Sequence, residues 1–205
     1  MEKITEYKPD RIENEVPVFR TDLKEIFEKH KVFVFGYGSL LFEHGWTNRN
    51  MFLPPKEQDL HECRLKGFER GPWGLFSGAN YYGIIRNPNE AINGVIAEVH
   101  SFTDWVELMA TERIAGIFEY ANYRVVDVTS NICDLQIPLP QNAVVHAVCN
   151  LPENRQKVRM SVPASGYYNY VWSGIEKFRS KHFQKEFLKT GGVKSVWEIF
   201  NILYK

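Results

Sequence analysis

The chain has 205 residues, and its 25 Lys and Arg balance its 25 Asp and Glu, which removes the electrostatic case for nucleic acid or an anionic membrane. The length suits one domain, with or without appendages, that buries a sizeable core. Cys63, Cys133 and Cys149 are odd in number and lack metal or redox spacing, the start is unlike a signal peptide, and no apolar run nears the roughly 20 residues that cross a bilayer, so a soluble cytoplasmic protein is expected.

Residues 1–17 are polar, with prolines at Pro9 and Pro17, and are expected to wrap the surface. Thr21 or Asp22 caps a short helix, and Glu25 completes a capping box with Asp22. Phe19, Leu23, Ile26 and Phe27 form its apolar stripe. Residues 32–35, Val-Phe-Val-Phe, are apolar and half β-branched, so they predict a buried strand. That strand ends in Gly36-Tyr37-Gly38-Ser39-Leu40. Glycine tolerates positive φ and lets another group come close to the main chain. Such a turn leaves several N–H groups facing open space, which suits a carboxylate or a developing oxyanion. The same turn also serves as a plain tight strand exit.

Residues 40–50 read as a helical turn or loop, and Pro54 and Pro55 break anything regular. A strand is expected over 63–68. Residues 71–82, with three glycines and with Trp73, Phe76, Tyr81 and Tyr82, read as a covering loop. Residues 82–86 predict a strand, 87–90 a turn and 93–99 its hairpin partner. A helix follows over about 103–114, with Ser101 and Asp104 as its cap pair. Residues 123–128 and 143–149 are the remaining strands. So many strands with few helices between them argue against a doubly wound parallel sheet. They predict an α+β fold: a mixed, mostly antiparallel sheet curled towards a small β-barrel, with flanking helices. The last third turns helical over 165–181 and 183–189. In the first of these helices Tyr167, Val171, Gly174, Ile175 and Phe178 share a face. Gly191-Gly192 is a hinge or stop. Residues 193–205 are an amphipathic tail that docks on its own domain or on a second copy.

The glycine turn has Leu41 where a dinucleotide fingerprint needs its third glycine, and no βαβ unit follows. Ser39 and Ser77 lie beside glycines, but neither sits in Gly-x-Ser-x-Gly. The histidines are scattered singly. His61-x-Cys63 comes nearest to a ligand pair and nothing completes it. His146, inside a strand, reads as a satisfied core or surface residue. No metal is assigned. The acid of interest is Glu112, which shares a helical stripe with Trp105 and Leu108. Facing the barrel on an apolar stripe, it would be suited to carry a proton near neutral pH. If the helix has already ended, Glu112 is instead a solvated boundary residue. Glu119 is the competing acid.

Phe35-Gly-Tyr-Gly-Ser-Leu40 resembles the signature of the γ-glutamylcyclotransferase-like superfamily. With Val34 before it, the run looks most like the ChaC branch, the glutathione-specific enzymes; AIG2-like proteins are further relatives. Three further features agree in order. A hairpin follows at suitable distance. Thr111-Glu112-Arg113 stands where the superfamily places its catalytic glutamate. Pro163-x-Ser165-x-Tyr167 followed by Gly174 is similar to the Pro-Ser-x-x-Tyr…Gly helix start of the γ-glutamylcyclotransferase branch. Two departures stand out. Leu108-Met-Ala-Thr-Glu112-Arg113 replaces Leu-Asp-x-x-Glu-Gly, and Ala164 displaces the serine after proline.

The resemblance spans about residues 31–189. It implies a domain over 31–190, an N-terminal extension over 1–30 and a C-terminal tail over 191–205. It also implies cofactor-independent cyclisation of a γ-glutamyl compound, glutathione or a γ-glutamyl amine or amino acid, to 5-oxoproline. Glu112 would be the catalytic acid–base. Tyr37, Gly38, Ser39 and Leu40 would bind the substrate through their N–H groups, and Tyr167 would orient the acid or the substrate through its hydroxyl. The expected partner is that small-molecule substrate alone, with no nucleic acid or membrane, on a monomer or homodimer. A non-catalytic small-molecule or protein binding module on the same fold is the alternative.

Overall fold

The computed structural model describes residues 5–7, 11–13, 16–18, 21–76, 78–112 and 123–203. The chain begins with β1 (Glu6–Tyr7), a small hairpin of β2 (Arg11–Glu13) and β3 (Val16–Val18), and α1 (Thr21–Lys29). Next come β4 (Lys31–Gly36), a 3-10 turn over Ser39–Leu41, and α2 (Glu43–Thr47). Two long strands, β5 (His61–Phe76) and β6 (Ala79–Glu98), lead to α3 (Phe102–Thr111). β7 (Tyr123–Asp127), β8 (Ile132–Cys133), β9 (Ala143–Asn150), α4 (Asn154–Lys157) and β10 (Val162–Pro163) follow. Helices α5 (Ser165–Phe178), α6 (Lys181–Lys189) and α7 (Val196–Leu203) close the chain.

The main sheet runs β1-β7-β9-β4-β6-β5-β8, and β10 adds to β6. Only the β4–β9 and β10–β6 pairs are parallel among the described strands. This is an α+β fold with a curled, mostly antiparallel half-barrel sheet and flanking helices. β4 is central because Val32, Phe33, Val34 and Phe35 are apolar on both faces, and all four are buried. A strand covered on two sides reads as such a continuous apolar run. The first residues do more than wrap the surface, since Glu6 and Tyr7 pair with Val126 and Val125 at the sheet edge. Phe19 lies outside the described residues.

Residues 71–76 and 79–82 are not a covering loop. They are the paired tips of β5 and β6, with Phe76 opposite Ala79. Gly71 pairs with Gly83 and Gly74 with Tyr81, so Pro72 and Trp73 together oppose Tyr82. Two residues facing one is a β-bulge, a place that tolerates a proline without an N–H. The expected turn over 87–90 is an excursion within β6. Lys66 pairs with Ala91 and Phe68 with Arg86, which leaves Gly67 alone opposite four residues. Gly67 has φ of +83°, a conformation that glycine adopts without strain.

The helices cover the sheet. On α3, Trp105, Leu108 and Met109 are buried, and Ser101 caps the helix by accepting from the Asp104 N–H at 3.0 Å. On α5 the buried stripe is Tyr168, Val171 and Ile175. Tyr167 sits on its flank and Phe178 is exposed, so the stripe is turned from the one expected. Ser180 caps α6 through the Phe183 N–H at 3.1 Å. Val193, Val196 and Ile199 join the same core, so the described part of the tail docks on its own chain. Among the described residues no helix is long and apolar enough to cross a membrane.

His146 on β9 departs from expectation. It is fully buried, and neither ring nitrogen has a hydrogen-bond partner among the described residues. Tyr7 and Trp105 pack around its ring, with centroids at 4.9 and 5.6 Å. Burial pushes its pKa down to about 4, and the nearby Asp127 charge opposes that only in part.

Candidate active site

The site begins where β4 breaks. The Leu41 N–H donates to the Gly38 carbonyl at 3.1 Å, and the buried Trp46 Nε1 donates to the Leu40 carbonyl at 2.9 Å. These bonds hold the turn over Ser39–Leu41 against α2. Gly38 is required by its neighbour: a Cβ there would overlap the Tyr167 hydroxyl oxygen. The missing side chain is thus the space that lets a tyrosine from α5 reach the turn.

Glu112 comes from the other side. Helix α3 ends at Thr111, and Glu112 is its cap residue, with its N–H bonded to the Leu108 carbonyl at 2.9 Å. The helix does end before the acid, but the acid is not solvated like a free boundary residue. Its side chain is 19% exposed. Its environment is not the apolar one expected, because Arg49 meets it. Arg49 Nε and Nη2 donate to Oε1 of Glu112 at 2.9 and 2.7 Å. Nη2 also donates to the Ser39 hydroxyl oxygen at 3.0 Å. The chain Glu112–Arg49–Ser39 therefore ties the end of α3 to the glycine turn. Farther along α3, the Phe52 N–H donates to Asp104 Oδ1 at 2.6 Å, so the segment after α2 is anchored to both ends of the helix. Burial opposes the Arg49 charge. Glu112 offsets this by Coulombic attraction and hydrogen bonding, with smaller help from Tyr167 and Tyr170, and the Arg49 pKa stands above its ordinary value.

A cavity of about 380 Å³ opens here, lined by Ser39, Arg49, Tyr81, Glu112, Tyr167 and Tyr170 among others. A recess of about 30 Å³ lies at the turn itself, lined by Tyr37, Gly38, Ser39, Leu40, Glu112 and Tyr167. It has room for about one water-sized group. Ser39, Tyr82, Glu112 and Tyr167 line both spaces. The Tyr167 ring meets Tyr81 edge-on at 5.0 Å. Burial pushes the Tyr170 hydroxyl pKa up, and Arg49 opposes that shift.

The structure brings Tyr37, Gly38, Ser39, Leu40, Glu112 and Tyr167 to one recess. Glu119, the competing acid, lies outside the described residues. Arg49 was missed by the sequence reading, and so was Tyr170. Arg49 has no local signal, since its carboxylate partner is 63 residues away. Tyr170 follows Tyr167 by one helical step, and that spacing could have suggested it. Among the described residues no group of three His, Cys, Asp or Glu could hold a metal ion.

No protein-family model matches the chain, and no curated protein does. Solved structures do. A γ-glutamyl cyclotransferase is 15% identical, over 85% of this chain and 98% of its own, with a TM-score of 0.48. The uncharacterized protein LOC79017 from Homo sapiens is 16% identical, over 86% of this chain and 99% of its own, with a TM-score of 0.52. YkqA from Bacillus subtilis is 14% identical, over 84% of this chain and 58% of its own, with a TM-score of 0.50. The likeness is one of fold: this chain shares the curled half-barrel of LOC79017 and YkqA over most of its length.

Proposed function

We propose that this protein is a γ-glutamylcyclotransferase. The α-nitrogen of a γ-glutamyl group attacks its own side-chain carbonyl carbon. A ring C–N bond forms, the C–N bond to the departing amine breaks, and 5-oxoproline is released. Starting from the α-ammonium, two protons leave that nitrogen and two reach the departing one, which leaves as an ammonium ion. No water or co-reactant is consumed, because nucleophile and leaving group belong to one molecule.

One observation carries this reading. Arg49 engages only Oε1 of Glu112, and no described donor reaches Oε2. A carboxylate held by one oxygen, with no described donor on the other, is oriented and could take and return a proton. Positioned acid–base help of this kind is worth about 10²–10⁴-fold. The recess beside it would take the carbonyl oxygen as it becomes an oxyanion, facing the N–H groups of residues 37–40. Tyr167 stands over the same recess and would orient the substrate through its hydroxyl. Folding the γ-glutamyl chain into a near-attack shape supplies the rest, since well-oriented intramolecular reactions reach effective molarities on the order of 10⁵ M or more.

The test is release of 5-oxoproline from glutathione and other γ-glutamyl compounds. Glu112→Gln should abolish it with the fold intact. Loss through Glu119→Gln instead would move the role to the other acid.

The Arg49–Glu112 pair also favours a second reading. A carboxylate already matched to a guanidinium is a good fixed wall for a polar ligand, and the cavity would then bind without reacting. That reading predicts thermal stabilisation by γ-glutamyl compounds with no product.

A further inference from the structure

The two spaces at Glu112 differ in kind. The recess is small and is lined by residues of the turn. The larger cavity has walls that the recess does not share: the polar Asn48, Arg49 and Thr111, and with them Leu75, Phe76, Tyr81 and Tyr170. A γ-glutamyl group whose carbonyl oxygen enters the recess would extend its departing amine into this larger cavity. The last four residues offer it rings and an aliphatic side chain. Tyr81 lies edge-on to Tyr167, and Tyr170 lies edge-on to Phe42 at 5.1 Å, so both rings are held by packing. Aromatic groups prefer such offset and edge-on neighbours.

Charge separates the candidates for that space. Among the described residues the charged side chains lining the cavity are Arg49 and Glu112, and they neutralise each other. A departing group with a free carboxylate would lose water there and gain no uncommitted cation from the described residues, which is unfavourable. A departing group ending in a ring or branched alkyl would bury apolar surface against four apolar or aromatic side chains.

We propose that the cavity selects γ-glutamyl amides whose departing amine carries an uncharged aromatic or branched apolar group. Compounds whose departing group carries a free carboxylate, glutathione among them, are poorer substrates. The chemistry in this inference rests on the cyclotransferase reading; the preference rests on the walls.

The experiment compares γ-glutamyl-phenethylamide, γ-glutamylglycine and glutathione. In the parent protein, kcat/KM for 5-oxoproline release should be at least about tenfold higher for the phenethylamide. Phe76→Arg, which puts a cation on the apolar wall, should shrink that ratio or reverse it. An equal or reversed order in the parent overturns the proposal. Calorimetric Kd values on the parent protein for the corresponding glutaryl amides, which lack the attacking α-nitrogen and leave the Arg49–Glu112 pair intact, should follow the same order. Failure of the parent to release 5-oxoproline from any of the three defeats the cyclotransferase reading. In that case the order of the Kd values alone upholds or overturns the preference.

Discussion

Arg49 grips a single oxygen of Glu112, through Nε at 2.9 Å and Nη2 at 2.7 Å, from 63 residues away in the chain. The same Nη2 reaches the Ser39 hydroxyl at 3.0 Å. One guanidinium therefore sets the distance between the acid and the glycine turn. A planar fork of donors does this better than a flexible ammonium, because less freedom is lost per bond.

Arg49→Met should lower kcat by about 10²-fold, the scale of a small misplacement of a reacting group. KM should change little, and stability should fall by more than about 1 kcal/mol, the scale of an exposed pair, because Glu112 is left mostly buried without its guanidinium. Arg49→Lys should recover part of kcat. Steady-state kinetics and thermal melts check this. A large rise in KM with kcat unchanged would show that Arg49 binds substrate and does not position the acid.

Gly38→Ala should destabilise by about 1–3 kcal/mol, the usual cost of overpacking. The added Cβ would overlap the Tyr167 hydroxyl, whereas the ring carbon Cζ would stand at 3.7 Å, an ordinary contact. Tyr167→Phe removes that oxygen, so the double variant should regain most of the loss. Urea unfolding of the four proteins gives the coupling. Additive losses would mean that the hydroxyl is not what Gly38 accommodates.

His146 should make stability fall in acid. Burial lowers its folded-state pKa to about 4, below the ordinary 6.5. Below pH 6.5 the unfolded chain takes up a proton that the folded chain refuses until pH 4. Stability from this group is complete above the unfolded pKa and is lost as pH falls between those values, by on the order of 3 kcal/mol. Urea unfolding at pH 7.5 and pH 4.5 should show the fall in the parent, and His146→Phe should lack this part of it. The same slope in both would place the acid sensitivity elsewhere.

Tyr82 fastens the segment between α6 and α7. Its hydroxyl accepts from the Val193 N–H at 2.9 Å and donates to the Val193 carbonyl at 3.3 Å, all within buried surroundings. Tyr82→Phe leaves that N–H unpaired and should cost about 1–3 kcal/mol. Amide exchange at Val193 should accelerate more than exchange in β4. Unchanged exchange at Val193 would show that packing alone holds the segment.

Local pattern determined much of this protein from the sequence alone. The apolar run before Gly36, the Gly-x-Gly-Ser turn, the Ser101 cap and the stripe of Trp105 and Leu108 are all short-range signals. They place β4, its break and α3 correctly, and bring Glu112 to the end of that helix. The strand count and the scarcity of helices between strands gave the curled α+β sheet. Tertiary structure decided the rest. Glycines and a proline over 71–82 look like a loop when read locally, yet pairing with a partner strand turns them into a bulge. The face of α5 that is buried, the buried His146 and the Arg49–Glu112 pair depend on contacts between distant segments. No periodicity encodes those contacts, because each forms only when the sheet has curled and brought its far ends together.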